Sequence, residues 1–272
     1  MPAGEGRLQR FAEMLGPVRQ LAGTAAGFVG PATTRHADPP RSTAPSGPPG
    51  RSILAGEMLS GLQVPRLLLA APRLARVPRG DGSPVIDIPG WRASESSMAP
   101  IRAYLRRLGY DARTWGLGTN LGDPEGDAER MTESVVALSE STGRPVALVG
   151  WSLGGVIARE VARSVPEHVA RVITYGTPVL GGPAHTVAAR SYEPGEGDRV
   201  DAIVNELNAA APISVPITII FTRRDGIVAW QACIDRASPD VEHVEVSSTH
   251  IGLGIDPDVW EIVARTLAKP VA

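Results

Sequence analysis

The chain has 272 residues, 43% of them hydrophobic, which is enough to bury one full core and suits one large domain or a domain with an appendage. Its 27 Lys and Arg against 29 Asp and Glu give a net charge of -2 without the basic face that a phosphate backbone needs, so nucleic acid is not an expected partner. The only lysine, Lys269, excludes a Walker-type phosphate loop and core Schiff-base chemistry, the only cysteine, Cys233, excludes disulfides and paired-cysteine sites, and no cofactor or metal is expected.

Residues 7–29 begin with Arg7, Arg10 and Arg19 and continue into a Gly- and Ala-rich run, which reads as a short amphipathic segment rather than a secretion signal because its apolar centre is weak. A cytoplasmic location is expected, and the absence of an apolar window of 18 residues predicts no membrane-spanning helix. Residues 30–50 hold six prolines and three glycines and read as a flexible linker, so 1–52 form a Pro/Gly-rich extension and 53–272 the folded domain. Residues 53–79 lack strand alternation and predict one or two helices on the domain edge.

Beyond residue 80, short β-branched runs at 85–89, 111–115, 145–150, 170–174, 216–222 and 241–246 alternate with helical stripes. This alternation predicts a parallel sheet of about six strands with crossover helices on both faces. One stripe is Met98, Ile101, Leu105 and Leu108, stopped by Gly109; another is Met131, Val135 and Leu138, stopped by Gly143. A third runs from Leu153 to Val165, and the last, Val259 to Leu267, is started by Asp256 as cap and Pro257 in the first turn.

Between the third strand and the third stripe stands Gly150-Trp151-Ser152-Leu153-Gly154, a GxSxG pattern. A serine forced into a sharp strand-to-helix turn projects its hydroxyl above the sheet, small neighbours are needed to avoid collisions, and the helix N-terminus favours developing negative charge. At these residues the chain resembles the α/β-hydrolase family, over about residues 81–272. The resemblance implies a compact α/β-hydrolase fold lacking the family's first two strands, with Ser152 as nucleophile, followed in chain order by an acid and a histidine.

Asp225 follows the strand at 216–222 and His250 the strand at 241–246, so both emerge at the same sheet edge as Ser152, where open parallel sheets hold their ligands. Asp235 and Asp240 are rival acids, but neither ends a strand. Among the other histidines, His36 lies in the linker, His168 in a polar connection, His185 after a Gly-Gly-Pro turn and His243 within a strand. The backbone N–H groups of Leu153 and Trp91 are the expected oxyanion donors, Trp91 following Pro89-Gly90 after the first strand.

Gly116-Leu117-Gly118-Thr119-Asn120-Leu121-Gly122 departs from a dinucleotide loop in its spacing and reads as a loop at the site rim. Gly176-Thr177-Pro178 reads as a turn bordering the cleft. Residues 181–212, with Val200, Ile203, Val204 and Leu207 on one helical stripe, are an insertion that in this family forms a cap, expected to act as a mobile lid. The expected activity is a serine esterase or lipase acting on a small-molecule acyl ester. An acyltransferase or thioesterase on the same fold and a non-catalytic binding protein are the alternatives.

Overall fold

The computed structural model describes residues 35–36, 47–180, 182–191 and 196–270. The extension expected at 1–52 lies outside the described residues except for 35–36 and 47–52. Chain order is β1 (Arg35–His36), α1 (Arg51–Gly56), α2 (Gln63–Leu74), β2 (Pro84–Ile88), α3 (Ala99–Leu108), β3 (Asp111–Thr114), α4 (Pro124–Thr142) and β4 (Val146–Trp151). There follow α5 (Leu153–Ser164), β5 (Val169–Tyr175), α6 (Glu196–Ala210), β6 (Ile217–Phe221), β7 (Val241–Glu245) and α7 (Pro257–Leu267).

The sheet order is β1-β7-β6-β5-β4-β2-β3, with every neighbouring pair parallel except β1 and β7. The six expected strands are those from β2 to β7. The seventh, β1, falls in the stretch read as a linker and pairs Arg35 with Glu245 and His36 with Val244. It covers backbone groups of β7 that would otherwise form an open sheet edge.

Strands β2, β5 and β6 are buried along their whole length, as a sheet covered on both sides by crossover helices requires. Alternate residues feed two cores. Ile86, Ile88 and Leu148 pack with Met131 and Val135 of α4 and Ile157 and Val161 of α5. On the opposite face, Val85, Ala147, Val149 and Ile173 pack with Ile101 and Leu105 of α3 and Val259 and Val263 of α7.

The helix punctuation follows from the sequence. Gly109 and Gly143 end α3 and α4 at φ 104° and 65°, a left-handed geometry in which glycine carries no Cβ penalty. The Asp256 carboxylate accepts a hydrogen bond from the Asp258 N–H at the start of α7.

The insertion opens with short 3-10 turns at Gly182–His185 and Val187–Ser191 and continues into α6, whose first residues, Glu196 and Gly197, belong to a turn-rich stretch of the sequence. Side-chain placement of Val200 lies outside the described residues. Asn208 anchors α6 by donating from Nδ2 to the Val179 carbonyl, 2.8 Å, and accepting from Arg163, 3.0 Å. No helix among the described residues is long and apolar enough to cross a membrane.

Candidate active site

Ser152 links β4 to α5 with φ 53° and ψ -122°, a conformation that costs a non-glycine residue of order 1–3 kcal/mol and persists only where its surroundings fix it. Three bonds do so here. Its N–H donates to the Tyr175 carbonyl at 2.9 Å, and its own carbonyl accepts from Gly155 N–H and Thr177 Oγ1, each at 2.9 Å. A methyl group on Gly154 would collide with the Ile88 carbonyl, and one on Gly155 with the Thr177 hydroxyl, so the turn closes only around glycines. The Ser152 hydroxyl does not cap α5.

Asp225 and His250 meet at the C-terminal edge of the sheet, with Asp225 Oδ2 2.7 Å from His250 Nδ1 and both side chains almost fully buried. The other Asp225 oxygen accepts from the N–H groups of Ile227, 2.9 Å, and Val228, 2.7 Å. This pins the carboxylate's rotation and aims Oδ2 at the ring. Burial pushes the His250 imidazole down, but the charge and hydrogen bond of Asp225 and the charge of Glu57 outweigh it, leaving the ring above its ordinary 6.5. Trp151 lies against the ring, their centroids 6.1 Å apart, and Gly176, at φ 60°, passes so close to Nδ1 that a side chain there would crowd it.

Ser152, Leu153 and Trp91 line one pocket of about 120 Å³, whose other walls include Val156, Pro178, Ile227 and Val228. The insertion contributes Gly182, Pro183, Thr186, Val187 and Ala188 to the same pocket and is joined to the acid loop by Val187 N–H donating to the Ile227 carbonyl and Ala229 N–H to the His185 carbonyl.

The rim loop braces the segment that holds Trp91. Buried Asn120 donates from Nδ2 to the Pro89 carbonyl at 2.9 Å, accepts from Arg92 N–H at 2.7 Å on its backbone oxygen, and donates its N–H to the Ala93 carbonyl at 3.0 Å. These contacts hold Arg92 at φ 60°. The rival acid Asp235 is engaged elsewhere, 2.8 Å from Arg159 in a buried ion pair, and also accepts from Ala237 and Ser238. His243 Nε2 accepts from the Asp235 N–H.

No family model matches the chain. Over 99 residues it is 32% identical to "Pimeloyl-[acyl-carrier protein] methyl ester esterase" of Aliivibrio salmonicida (strain LFI1238), covering 35% of this chain and 36% of that protein. The chain spans about a third of the length of the curated relatives it matches. It superposes on Aspergillus fumigatus lipase B with a TM-score of 0.54 at 18% identity, covering 71% of this chain and 56% of that one. A structure reported with the metagenome-derived lipolytic enzymes LipS and LipT superposes with a TM-score of 0.51 at 20% identity, over 71% and 94% of the respective chains. The chain has the α/β-hydrolase fold.

Within this hydrolase fold, two groups at the site escape sequence reasoning. Asn120 is hidden in a glycine-rich run whose glycines alone carry a recognisable pattern. Glu57 lies far away in sequence yet touches the loops of both Asp225 and His250; its one signal is that it is the sole acidic residue among residues 53–79.

Proposed function

We propose that the chain is a serine hydrolase that cleaves carboxylic esters through an acyl-enzyme. The observation that carries this reading is the strained Ser152 turn, set at the same sheet edge as the hydrogen-bonded Asp225 and His250 pair. His250 takes the Ser152 proton as the hydroxyl oxygen attacks the ester carbonyl carbon, and Asp225 orients the ring and stabilises its charged form. The N–H groups of Leu153, at the start of α5, and Trp91 receive the developing oxyanion. The bond to the alcohol oxygen breaks, and the alcohol leaves with the proton from His250. Water then adds to the acyl carbon as His250 takes its proton, the bond from that carbon to the Ser152 oxygen breaks, and His250 returns the proton to Ser152 as the carboxylic acid leaves.

The apolar walls of the pocket, Leu153, Val156, Pro178, Val187, Ile227 and Val228, suit a short hydrocarbon acyl group. The partial likeness to methyl ester esterases supports ester cleavage as the chemistry. The proposed catalytic unit is residues 53–272, with 181–212 as its cap, and Arg35–His36 and the start of α1 at Arg51 add to it from the preceding stretch.

The test is turnover of short p-nitrophenyl esters and covalent labelling by a fluorophosphonate in the wild type and in Ser152→Ala. Turnover and labelling that both vanish in the variant are expected. Labelling retained by Ser152→Ala would overturn the assignment, and a wild type inert to probe and esters would favour a non-catalytic binding protein.

A further inference from the structure

We propose that Glu57 is a positioning residue that sets the mutual placement of the catalytic acid and histidine. The assignment rests on the reading of Ser152, Asp225 and His250 as a catalytic triad.

Glu57 immediately follows α1 and is fully buried, a rare condition for a carboxylate, which burial destabilises unless donors surround it. Those donors come from the two loops that carry the site. Glu57 Oε1 accepts from the Gly226 N–H at 2.8 Å and from the His250 N–H at 2.8 Å, and Oε2 accepts from the Ile251 N–H at 2.9 Å. Gly226 is the residue after Asp225. One oxygen therefore fixes the backbone beside the acid and the backbone of the histidine itself, bridging the loops that leave β6 and β7.

The contacts around this carboxylate form a clamp. Ser60 and Thr249 share a hydroxyl hydrogen bond of 2.9 Å, and Gln63 Nε2 donates to Ser248 Oγ at 3.1 Å, so the loop at 248–251 is gripped along its length by residues 57–63. On the acid side, Gly226 lies so close to Leu54 and the Ile53 carbonyl that it has no room for a side chain. The segment expected to lie at the domain edge thus reaches the centre of the chemistry.

Among the described residues, the charged groups acting on His250 are Asp225 and Glu57, and both favour the imidazolium that forms when the ring takes a proton. A neutral side chain of the same length replaces neither the charge of Glu57 nor its pair of acceptor oxygens. Glutamine has one acceptor oxygen where three N–H groups on two sides need two, and its amide group would face a donor.

The experiment compares Glu57→Gln and Glu57→Asp in the full chain by kcat and KM on a p-nitrophenyl ester across pH, with thermal melting to establish folding. His250 ring titration by NMR is measured in parallel in Ser152→Ala with and without Glu57→Gln. Expected results are a fall in kcat of about 100-fold in Glu57→Gln with KM changed less than about twofold, since a small misplacement of reacting groups carries such a cost. The acid limb and the His250 titration should both move to lower pH, and Glu57→Asp, which keeps the charge, should recover part of each. A folded Glu57→Gln with wild-type kcat and an unmoved His250 titration would overturn the proposal. So would loss of the fold in both variants, which would make the role architectural. If the wild type has no Ser152-dependent turnover, the hydrolase reading fails by itself, while the His250 titration still decides whether Glu57 acts on the ring.

Discussion

Replacing Asp225 by asparagine removes one charge without removing volume, and the local geometry determines how the histidine responds. The N–H groups of Ile227 and Val228 both point at the side-chain oxygen Oδ1 and can be satisfied only by an acceptor. The amide oxygen introduced by Asp225→Asn must therefore occupy that position, which turns the NH₂ group toward His250 Nδ1, where the carboxylate now lies at 2.7 Å. Nδ1 then has to accept, so the ring carries its proton on Nε2 and cannot take one from Ser152. A triad histidine held in the wrong tautomer loses about 10⁴ in kcat, equivalent to about 5 kcal/mol of transition-state stabilisation. Stability should change far less, because the two backbone bonds survive. The assay is kcat and KM on a p-nitrophenyl ester beside a thermal melt, with ¹⁵N NMR of the ring to read the tautomer. A folded variant with kcat within about tenfold of wild type would refute the assigned role of Asp225.

On the proposed chemistry His250 is the general base and works as neutral imidazole, and its ring is raised above 6.5, so kcat/KM should be full at alkaline pH and fall as pH drops through a midpoint above 6.5; a midpoint below it in a pH profile would contradict that role. Asn120→Ala leaves the buried Pro89 carbonyl without its side-chain donor, at a cost of about 1–3 kcal/mol in urea unfolding, and loosens the loop of Trp91, so kcat should fall with KM little changed. Burial alone would raise the Asp235 carboxyl, but Arg159 and the Ala237 and Ser238 donors outweigh it and hold it at about 2. Its stabilising contribution is present above the ordinary 3.8 and lost as pH falls through about 2. Arg159→Ala leaves that charge buried without its partner and should cost about 3–5 kcal/mol by urea denaturation, with activity per folded molecule retained.

Ser152, Asp225 and His250 can be singled out in the sequence because each follows an apolar strand, and strand ends are local signals. The turn at Gly176-Thr177-Pro178 is legible as a cleft border for the same reason, although its two contacts, Thr177 with the Ser152 carbonyl and Gly176 with the His250 ring, are not. Strand β1 gives no signal, since a two-residue edge pairing uses backbone bonds alone and needs no apolar alternation. Glu57 is opaque for a different reason. Its partners are backbone N–H groups, which every residue except proline offers, so nothing in the loops at Gly226, His250 or Ile251 announces that a carboxylate is required.

The bond from His250 to Glu57 joins positions 193 residues apart, and this separation orders events in time as well as space. Loop-closure entropy rises by only about 0.6 kcal/mol per doubling of length, so the distance matters little at equilibrium. During synthesis at about 5–20 residues per second, however, roughly 10–40 s pass between the emergence of residue 57 and that of residue 250. In the last part of that interval, once Thr177 has emerged and His250 has not, the Ser152 turn can form while the base does not yet exist. On the proposed chemistry, a nascent chain carries a nucleophile that nothing deprotonates, and reactivity begins only when translation has delivered the loop that Glu57 holds.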